Sequence, residues 1–277
     1  MNEAAVTARI SNLQLRVATA AVGLPIVVVA VWIGGWFFAL VAGAIAVLAA
    51  AEFVHGWLIP SQPIARVLNM APAFGAAGII VAGSHASSGY VVFGMMVSLI
   101  LVVSGSLPTN KFGPRKPYRV LGWGLAYVGV LFATVVLTRD LANGRDWVLL
   151  GLLSTFAVDT GAYVTGKAIG RHKLVPRLSP AKTVEGAVGG WVAGAVAVIA
   201  LNALFGTPAS TTTVLPFAIA MPIVAQVGDL FESWMKRRMG VKDASGLLPG
   251  HGGFLDRMDS ILFVMPSLYL FLRWRVL

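Results

Sequence analysis

Nine apolar runs, each of about the length that crosses a lipid bilayer, dominate this sequence. They lie at about 16–33, 36–58, 67–83, 89–104, 120–137, 147–166, 184–204, 214–231 and 254–272. A membrane-spanning helix needs roughly 20 consecutive, mostly apolar residues. Gly, Pro, Asn, Ser or charged residues, which commonly break helices, bound each run. The pattern predicts an all-α polytopic membrane protein with about nine transmembrane helices.

The composition excludes the main alternatives to a membrane protein. Only 12% of the 277 residues are charged and 57% are hydrophobic, whereas a soluble domain usually carries about 25% charged residues. So few charges could not cover the surface of a water-soluble enzyme of this size. The chain has no cysteine, which excludes a disulfide scaffold, a thiolate metal site and a cysteine nucleophile.

The basic residues indicate how the helices are oriented. If the N-terminus is cytoplasmic and nine helices alternate, 17 of the 21 Lys and Arg lie in cytoplasmic segments, and only Arg139, Arg145, Arg273 and Arg275 lie outside. This asymmetry predicts a cytoplasmic N-terminus and an external C-terminus. We expect an integral protein of a bacterial-type cytoplasmic (inner) membrane, with an uncleaved first helix. The net charge of +10 then reflects loops lying against anionic lipids, and we expect no nucleic-acid partner.

The acidic residues indicate where the chemistry lies. We expect one integrated membrane domain, with about five helices in residues 1–150 and about four, with cytoplasmic loops, in residues 151–277. Seven of the eleven acids lie between residues 159 and 259, inside a membrane segment or at its cytoplasmic end. Because a carboxylate in a bilayer is costly and by default marks function, we predict that residues 151–277 are catalytic. Glu52 and His55 are weaker candidates, because side chains at a helix end can reach the headgroup region.

The first two acidic clusters lie towards the end of the sixth apolar run and at the start of the seventh. Asp159 and Tyr163 are four residues apart and share a helix face. This face is predicted either to contact the substrate or to form an interhelical hydrogen bond. In the stretch 179–186, Ser179 is predicted to cap a helix that begins at Pro180, with Lys182 in its first turn. A cation there opposes the helix dipole, so a bound phosphate would explain it. Glu185 could instead form a local ion pair with Lys182.

The third cluster is the longest and suggests a metal-dependent reaction of phosphates. Asp229 and Glu232, and likewise Asp256 and Asp259, are three residues apart, so each pair is predicted to share one helical face. A divalent cation would relieve the repulsion between the two pairs, and oxygen ligands favour Mg²⁺. The basic, glycine-rich segment between the pairs allows a close approach to phosphate. These are the components of phosphoryl or nucleotidyl transfer; the alternative is a solvated loop with salt bridges.

At these residues the chain resembles the phosphatidate cytidylyltransferase (CDP-diacylglycerol synthase) family. The family's pattern occurs here over 27 positions with the key spacings met, as Ser233, Lys236-Arg237, Lys242-Asp243, His251-Gly252-Gly253 and Asp256-Arg257-Met258-Asp259. The segments 159–173 and 179–186 are also similar to the family, so the resemblance covers about residues 155–262. One departure is Ala244-Ser245, where the family usually has Ser-Gly; Ser245 could replace the missing hydroxyl.

The resemblance implies transfer of CMP from CTP to phosphatidate, giving CDP-diacylglycerol and pyrophosphate at the cytoplasmic face. It implies Mg²⁺ held near Asp229, Asp256 and Asp259, and it leaves open a second cation and a homodimer. The other partners would be membrane lipids, with acyl chains entering between helices from the cytoplasmic leaflet. The implied catalytic residues are Lys182, Asp229, Lys242, Asp256, Arg257 and Asp259. The implied substrate-binding residues are Asp159, Tyr163, Ser179, Thr183, Glu185, Glu232, Lys236, Arg237, Asp243, His251, Gly252 and Gly253.

Three alternatives differ in their expected residue patterns. A transporter would place its acids near the middle of the bilayer on broken helices, whereas six of the seven acids here are predicted at one membrane face. A phosphotransferase that consumes CDP-alcohols would carry the string Asp-Gly-x-x-Ala-Arg, which does not occur. A cytidylyltransferase for another lipid phosphate remains open, because the sequence does not fix the lipid.

Overall fold

The computed structural model describes residues 3–58, 71–106, 116–248, 250 and 252–277, and most of them are helical. Within these ranges the helices and strands follow one another in the order α1 (Glu3–Ile33), α2 (Gly35–Leu58), α3 (Ala71–Gly83), α4 (Gly89–Ser106), α5 (Lys116–Gly124), a π-helical turn (Leu125–Val130), α6 (Leu131–Arg139), α7 (Gly144–Ile169), β1 (Lys173–Val175), β2 (Ser179–Thr183), α8 (Val184–Phe205), α9 (Thr211–Met239), a 3₁₀ turn (Leu255–Arg257) and α10 (Ile261–Arg275).

The prediction of a helical chain with several candidate membrane spans is confirmed, apart from the β1–β2 hairpin between α7 and α8. In the described ranges, six helical segments are long and apolar enough to cross a bilayer: Gly35–Trp57, Gly89–Ser106, Pro117–Arg139, Gly144–Ile169, Val184–Phe205 and Thr211–Met239. The fifth predicted run corresponds to α5, the π-helical turn and α6, which follow one another without a break. Shorter apolar segments occur at Val17–Ile33 and Phe74–Gly83. The count of nine crossings and the orientation of the two termini stay predictions.

Polar contacts tie several connections together at one end of the helices, here called the Arg139 end. The guanidinium of Arg139 donates from Nε to the carbonyl of Val31 (2.7 Å) and from Nη2 to that of Trp32 (3.3 Å), at the C-terminus of α1. His85, in the turn between α3 and α4, pairs with Asp140 after α6, with 2.8 Å between Nδ1 and Oδ2. Since α2 and α7 begin at this end, their last turns lie at the opposite end.

Small residues allow α7 and α8 to pack with their backbones close together. A Cβ atom on Gly161 of α7 would overlap the Cβ of Ala193, and one on Gly190 of α8 would lie 2.8 Å from the carbonyl oxygen of Val158. Substitutions at these glycines would therefore force the helices apart. The close packing fixes the height of Asp159, which lies between Val158 and Gly161, relative to α8.

The structure corrects the prediction for residues 179–186. Ser179 does not cap a helix, because residues 179–183 form β2, which pairs antiparallel with β1. The cap of α8 is Thr183, whose side chain accepts a hydrogen bond from the backbone N–H of Gly186 (3.1 Å). Lys182 therefore precedes the cap instead of lying in the first turn. Strand pairing keeps the segment extended up to Thr183, and Pro180 is tolerated because each strand of a two-stranded hairpin is an edge strand.

Candidate functional site

A cavity of about 420 Å³ lies between α7, the hairpin, α8 and α9. Small and apolar residues such as Val158, Gly186 and Leu230 form much of its wall. Its polar lining joins the first two clusters of the sequence to α9, and comprises Asp159, Tyr163, Lys167, Lys182, Thr183, Gln226 and Asp229. The fold thus brings residues from positions 159, 182 and 229 to one space.

An acidic group with compensating cations lies at this cavity. The Nζ of Lys182 is 2.5 Å from Oδ2 of Asp229, and both side chains are about one quarter to one third exposed (26% and 31%). Asp159 interacts electrostatically with the acids Asp259 and Asp229 and with the cations Lys182 and Arg257. Burial and the nearby charge of Asp229 raise the pKa of Asp259 to about 6. We call Asp159, Asp229 and Asp259 the cavity acids: Asp159 and Asp229 line the cavity, and Asp259 lies near enough for its charge to repel theirs.

A second acidic group is buried behind the first. The Nζ of Lys236 lies 2.8 Å from Oδ1 of Asp256 and 3.2 Å from Oε1 of Glu232. Glu232 is fully buried, and among the described residues Lys236 is the cation within ion-pair distance of its carboxylate. Burial opposes ionisation of Asp256, but hydrogen bonds from Lys236 and from the backbone N–H groups of Gly253 and Ala244 outweigh it, and the pKa of Asp256 is lowered. Lys236 is thus the cation that balances this group.

The four acids are grouped differently in the structure from the predicted pairs: Asp229 lies near Asp259, and Glu232 lies near Asp256. Asp256 lies in a 3₁₀ turn and Asp259 in the turn before α10, so the two do not share one α-helical face as predicted. Asp229 lines the cavity, whereas Glu232, one turn further along α9, contacts Lys236 in the interior. Asp259 feels the charges of both Asp229 and Glu232 and therefore links the two groups.

The segment from Ala244 to Leu255, here called the 244–255 loop, is shaped around the carboxylate of Asp256. Oδ2 of Asp256 accepts hydrogen bonds from the backbone N–H of Gly253 (2.8 Å) and of Ala244 (2.9 Å). A Cβ on Gly252, which has φ +83°, would lie 2.7 Å from the same oxygen. Gly252 was predicted to allow the close approach of a ligand. In the structure, the group that lies close to Gly252 is the carboxylate of Asp256.

Glu52, which the sequence analysis ranked low, also belongs to this region. Its side chain is buried, and it accepts hydrogen bonds from Ser245 Oγ (2.6 Å) and from the backbone N–H groups of Phe254 (3.1 Å) and Leu255 (2.8 Å). The partners are about 200 positions away, so no local pattern indicates them. The only indication in the sequence that Glu52 has a special role was its charge inside an apolar run. Ser245, the residue expected to replace the hydroxyl missing at Ala244, donates its hydroxyl to Glu52.

The remaining predicted residues occupy various positions around the cavity. Glu185 accepts hydrogen bonds from the backbone N–H groups of Arg171 (3.1 Å) and His172 (3.2 Å) and contacts His172 Nδ1 at 2.6 Å, whereas the ion pair of Lys182 is with Asp229. Tyr163 is 67% exposed. Arg237 donates to backbone carbonyls at 3.4 Å. Lys242, Asp243 and Arg257 are exposed, Ser179 lies half-buried on β2, and His251 lies outside the described residues.

The donor set allows a test of the predicted magnesium site. In the part of the chain that the structure describes, no three His, Asp or Glu side chains are grouped closely enough to hold a metal ion. The oxygens of Asp256 already accept from Lys236 and two backbone N–H groups. Asp229 contacts Lys182 through Oδ2, and Asp259 accepts from the backbone N–H of Ser260 through Oδ1, so each uses one oxygen in these contacts. Protein Mg²⁺ sites commonly use one or two carboxylates together with substrate phosphates. Asp229 and Asp259 are therefore the carboxylates that would hold a cation bound together with a phosphate substrate.

Comparisons with known proteins give a consistent result over nearly the whole chain. Residues 14–274 match the model of the Cytidylyltransferase family. A phosphatidate cytidylyltransferase of Staphylococcus haemolyticus (strain JCSC1435) is 33% identical over 266 residues, which cover 94% of this chain and 99% of the relative. Those of Staphylococcus saprophyticus subsp. saprophyticus and Staphylococcus aureus (strain COL) are 32% and 31% identical, with the same coverage of both chains.

Proposed function

Because the chain belongs to the cytidylyltransferase family, we propose that it transfers CMP from CTP to phosphatidate. The relatives of this name match 94% of the chain and 99% of their own length, and this match carries the proposal. The products are CDP-diacylglycerol and pyrophosphate. The cavity supports the assignment, because it combines the ammonium of Lys182 with carboxylates from α7 and α9.

The reaction needs charge neutralisation and alignment more than it needs a base. An oxygen of the lipid phosphate attacks the α-phosphorus of CTP and forms the new P–O bond. The bond from the α-phosphorus to the bridging oxygen breaks, and pyrophosphate leaves with the electron pair. A phosphate monoester is already ionised near neutral pH, so it needs no strong base. The protein's task is to hold two anions in line, for which Lys182, Arg257 and Lys242 are the cations that we assign.

We also propose that Mg²⁺ binds with the nucleotide at Asp229 and Asp259. The ion would neutralise phosphate charge and polarise the phosphorus under attack. Asp256 then has a different role from the predicted one: it organises the 244–255 loop through Gly253 and Ala244. Lys182, which is paired with Asp229 in the structure, would turn to the phosphates once the cation binds.

For this activity we propose that the end of the helices that holds the cavity faces the cytoplasm and that the Arg139 end faces the outside. The chain has no cysteine, so single cysteines can be introduced without background. A cysteine at Val175 or Gly240 should react with a membrane-impermeant maleimide only from the cytoplasmic side, and one at Ser87 or Ser210 only from outside. The measurement is labelling of intact cells against inside-out vesicles, and labelling of position 240 in intact cells would contradict the orientation.

The activity itself is tested with purified protein, labelled CTP, Mg²⁺ and phosphatidate in detergent. We expect label from the cytidine moiety to appear in a lipid-soluble product, together with released pyrophosphate. A parallel reaction with a polyprenyl phosphate distinguishes the lipid classes. If neither lipid accepts the label while an established enzyme works in the same mixture, the proposed function is wrong.

A further inference from the structure

A buried carboxylate of the N-terminal half holds the 244–255 loop in place. Glu52 lies on α2 and is 4% exposed. Its Oε1 accepts from Ser245 Oγ at 2.6 Å and from the backbone N–H of Phe254 at 3.1 Å, and its Oε2 accepts from the backbone N–H of Leu255 at 2.8 Å. Hydrogen bonds to an ionised acceptor are roughly twice as strong as neutral ones. One side chain therefore fixes both the start of the loop and its end.

The loop has little else to give it a single conformation. Its regular structure, in the described residues, is the isolated bridge between Leu248 and Gly252. The carboxylate of Asp256 binds the backbone at Ala244 and Gly253, whereas Glu52 binds it at Phe254 and Leu255. Gly253 lies between the two carboxylates, and a Cβ there would be only 2.7 Å from Cδ of Glu52. The backbone at 253–255 is thus held by two carboxylates at adjacent positions.

The held backbone leads directly into residues assigned to the reaction. Leu255 is followed by Asp256 and Arg257, and Asp259 lies two residues further on. We infer that Glu52 is a positioning residue, which holds the backbone at 254–255 so that Arg257 and Asp259 face the reacting phosphates. The inference rests on the proposed function. It gives the N-terminal half a part in catalysis, although none of its described residues lines the cavity.

The substitution Glu52→Gln tests this role with little change in shape. The carboxamide has one acceptor oxygen, and its NH₂ group would face a backbone N–H. A misplacement of about 1 Å can cost a hundredfold in rate, so we expect kcat to fall at least about tenfold. The KM for CTP should change less than about threefold, since the cavity lining on α7, β2 and α9 is not altered. Hydrogen exchange of a peptide covering 244–258 should become faster, and that of α8 should not.

Two further variants control for stability. Ser98→Ala removes one buried hydrogen bond, from Ser98 Oγ to the carbonyl of Gly122 (2.7 Å), in the same half of the chain but away from the loop. It should leave kcat and loop exchange at the parent values. Ser245→Ala removes one of the three bonds to Glu52, so its kcat should fall about two- to fivefold, with faster exchange in the loop. If Glu52→Gln does not fold, Ser245→Ala tests the positioning role of Glu52 in its place.

The outcomes separate this inference from the proposed function. Parent-like kcat and loop exchange in Glu52→Gln, or in Ser245→Ala if the first variant does not fold, would overturn the positioning role. An equal loss of kcat in Ser98→Ala would overturn it too, because the effect would then reflect general stability. A parent protein that makes no CDP-diacylglycerol refutes the proposed function. Loop exchange in Glu52→Gln then decides separately whether Glu52 holds the loop.

Discussion

Replacing Asp229 by asparagine should lower kcat for CMP transfer at least about 100-fold, because the loss of one ligand of a phosphate-bound cation costs several kcal/mol. Stability without metal should change little. The partly exposed pair with Lys182 is worth about 0–1 kcal/mol, and removal of one negative charge relieves the repulsion with Asp159 and Asp259. Added Mg²⁺ should raise the melting temperature of the parent in detergent and raise that of the variant less.

The matched control for this prediction is Asp140→Asn. Asp140 pairs with His85 at 2.8 Å, its side chain is similarly exposed (29%), and it lies at the Arg139 end, away from the cavity. This variant should keep the parent activity and the parent response to Mg²⁺. If Asp229→Asn keeps activity within fivefold of the parent, or responds to Mg²⁺ as fully, then Asp229 is only an ion-pair partner of Lys182.

The largest loss of stability is expected from Lys236→Met. The ammonium lies 2.8 Å from Asp256 and 3.2 Å from the fully buried Glu232, so its removal leaves two buried carboxylates without a cation. Breaking a buried ion pair by removing one partner costs about 3–5 kcal/mol. We expect a loss of about 3 kcal/mol in the free energy of unfolding, measured by denaturant or thermal unfolding in detergent.

Two variants show whether charge is the cause of that loss. Arg237→Met removes the neighbouring cation, whose hydrogen bonds are two 3.4 Å contacts with carbonyls, and should cost less than about 1 kcal/mol. Adding Glu232→Gln to Lys236→Met should recover part of the stability, because one of the two unpaired charges is then absent. Equal losses in the two single variants, or no recovery in the double variant, would show that Lys236 does not balance these acids.

Much of the fold could be predicted because the cause of each helix is local. Length and apolarity along a run suffice to predict a span, and helices occupy the predicted runs within the described residues. The ninth helix is the clearest difference: its run was predicted from residue 254, whereas α10 begins at Ile261. The hydrogen bonds that Glu52 and Asp256 accept from the backbone at 253–255 keep that segment out of the α-helix.

The site could be predicted as a set of residues but not as a set of contacts. A charge inside an apolar run is visible in the sequence and is costly in a bilayer, so Asp159, Asp229 and Glu232 stood out. Glu232 and Lys236 are four residues apart on α9, so their contact follows from helical spacing. Which other acids meet depends on how helices pack, and no spacing indicated that Asp256 would join this pair. Ser179 and Thr183 are both good caps by residue type, and the pairing of β2 with β1, which the residue types alone did not indicate, decided between them.

The hydrogen bond from Leu255 to Glu52 joins residues 203 positions apart, and this separation bears on how the protein is made. Glu52 in helix α2 is synthesised 193 to 203 residues before its partners Ser245, Phe254 and Leu255. Until they follow, its carboxyl group lacks the hydrogen-bond donors that it has in the finished fold. A chain that stops before residue 245 cannot supply them, so the 244–255 loop can take up its held conformation only after Leu255 has been synthesised.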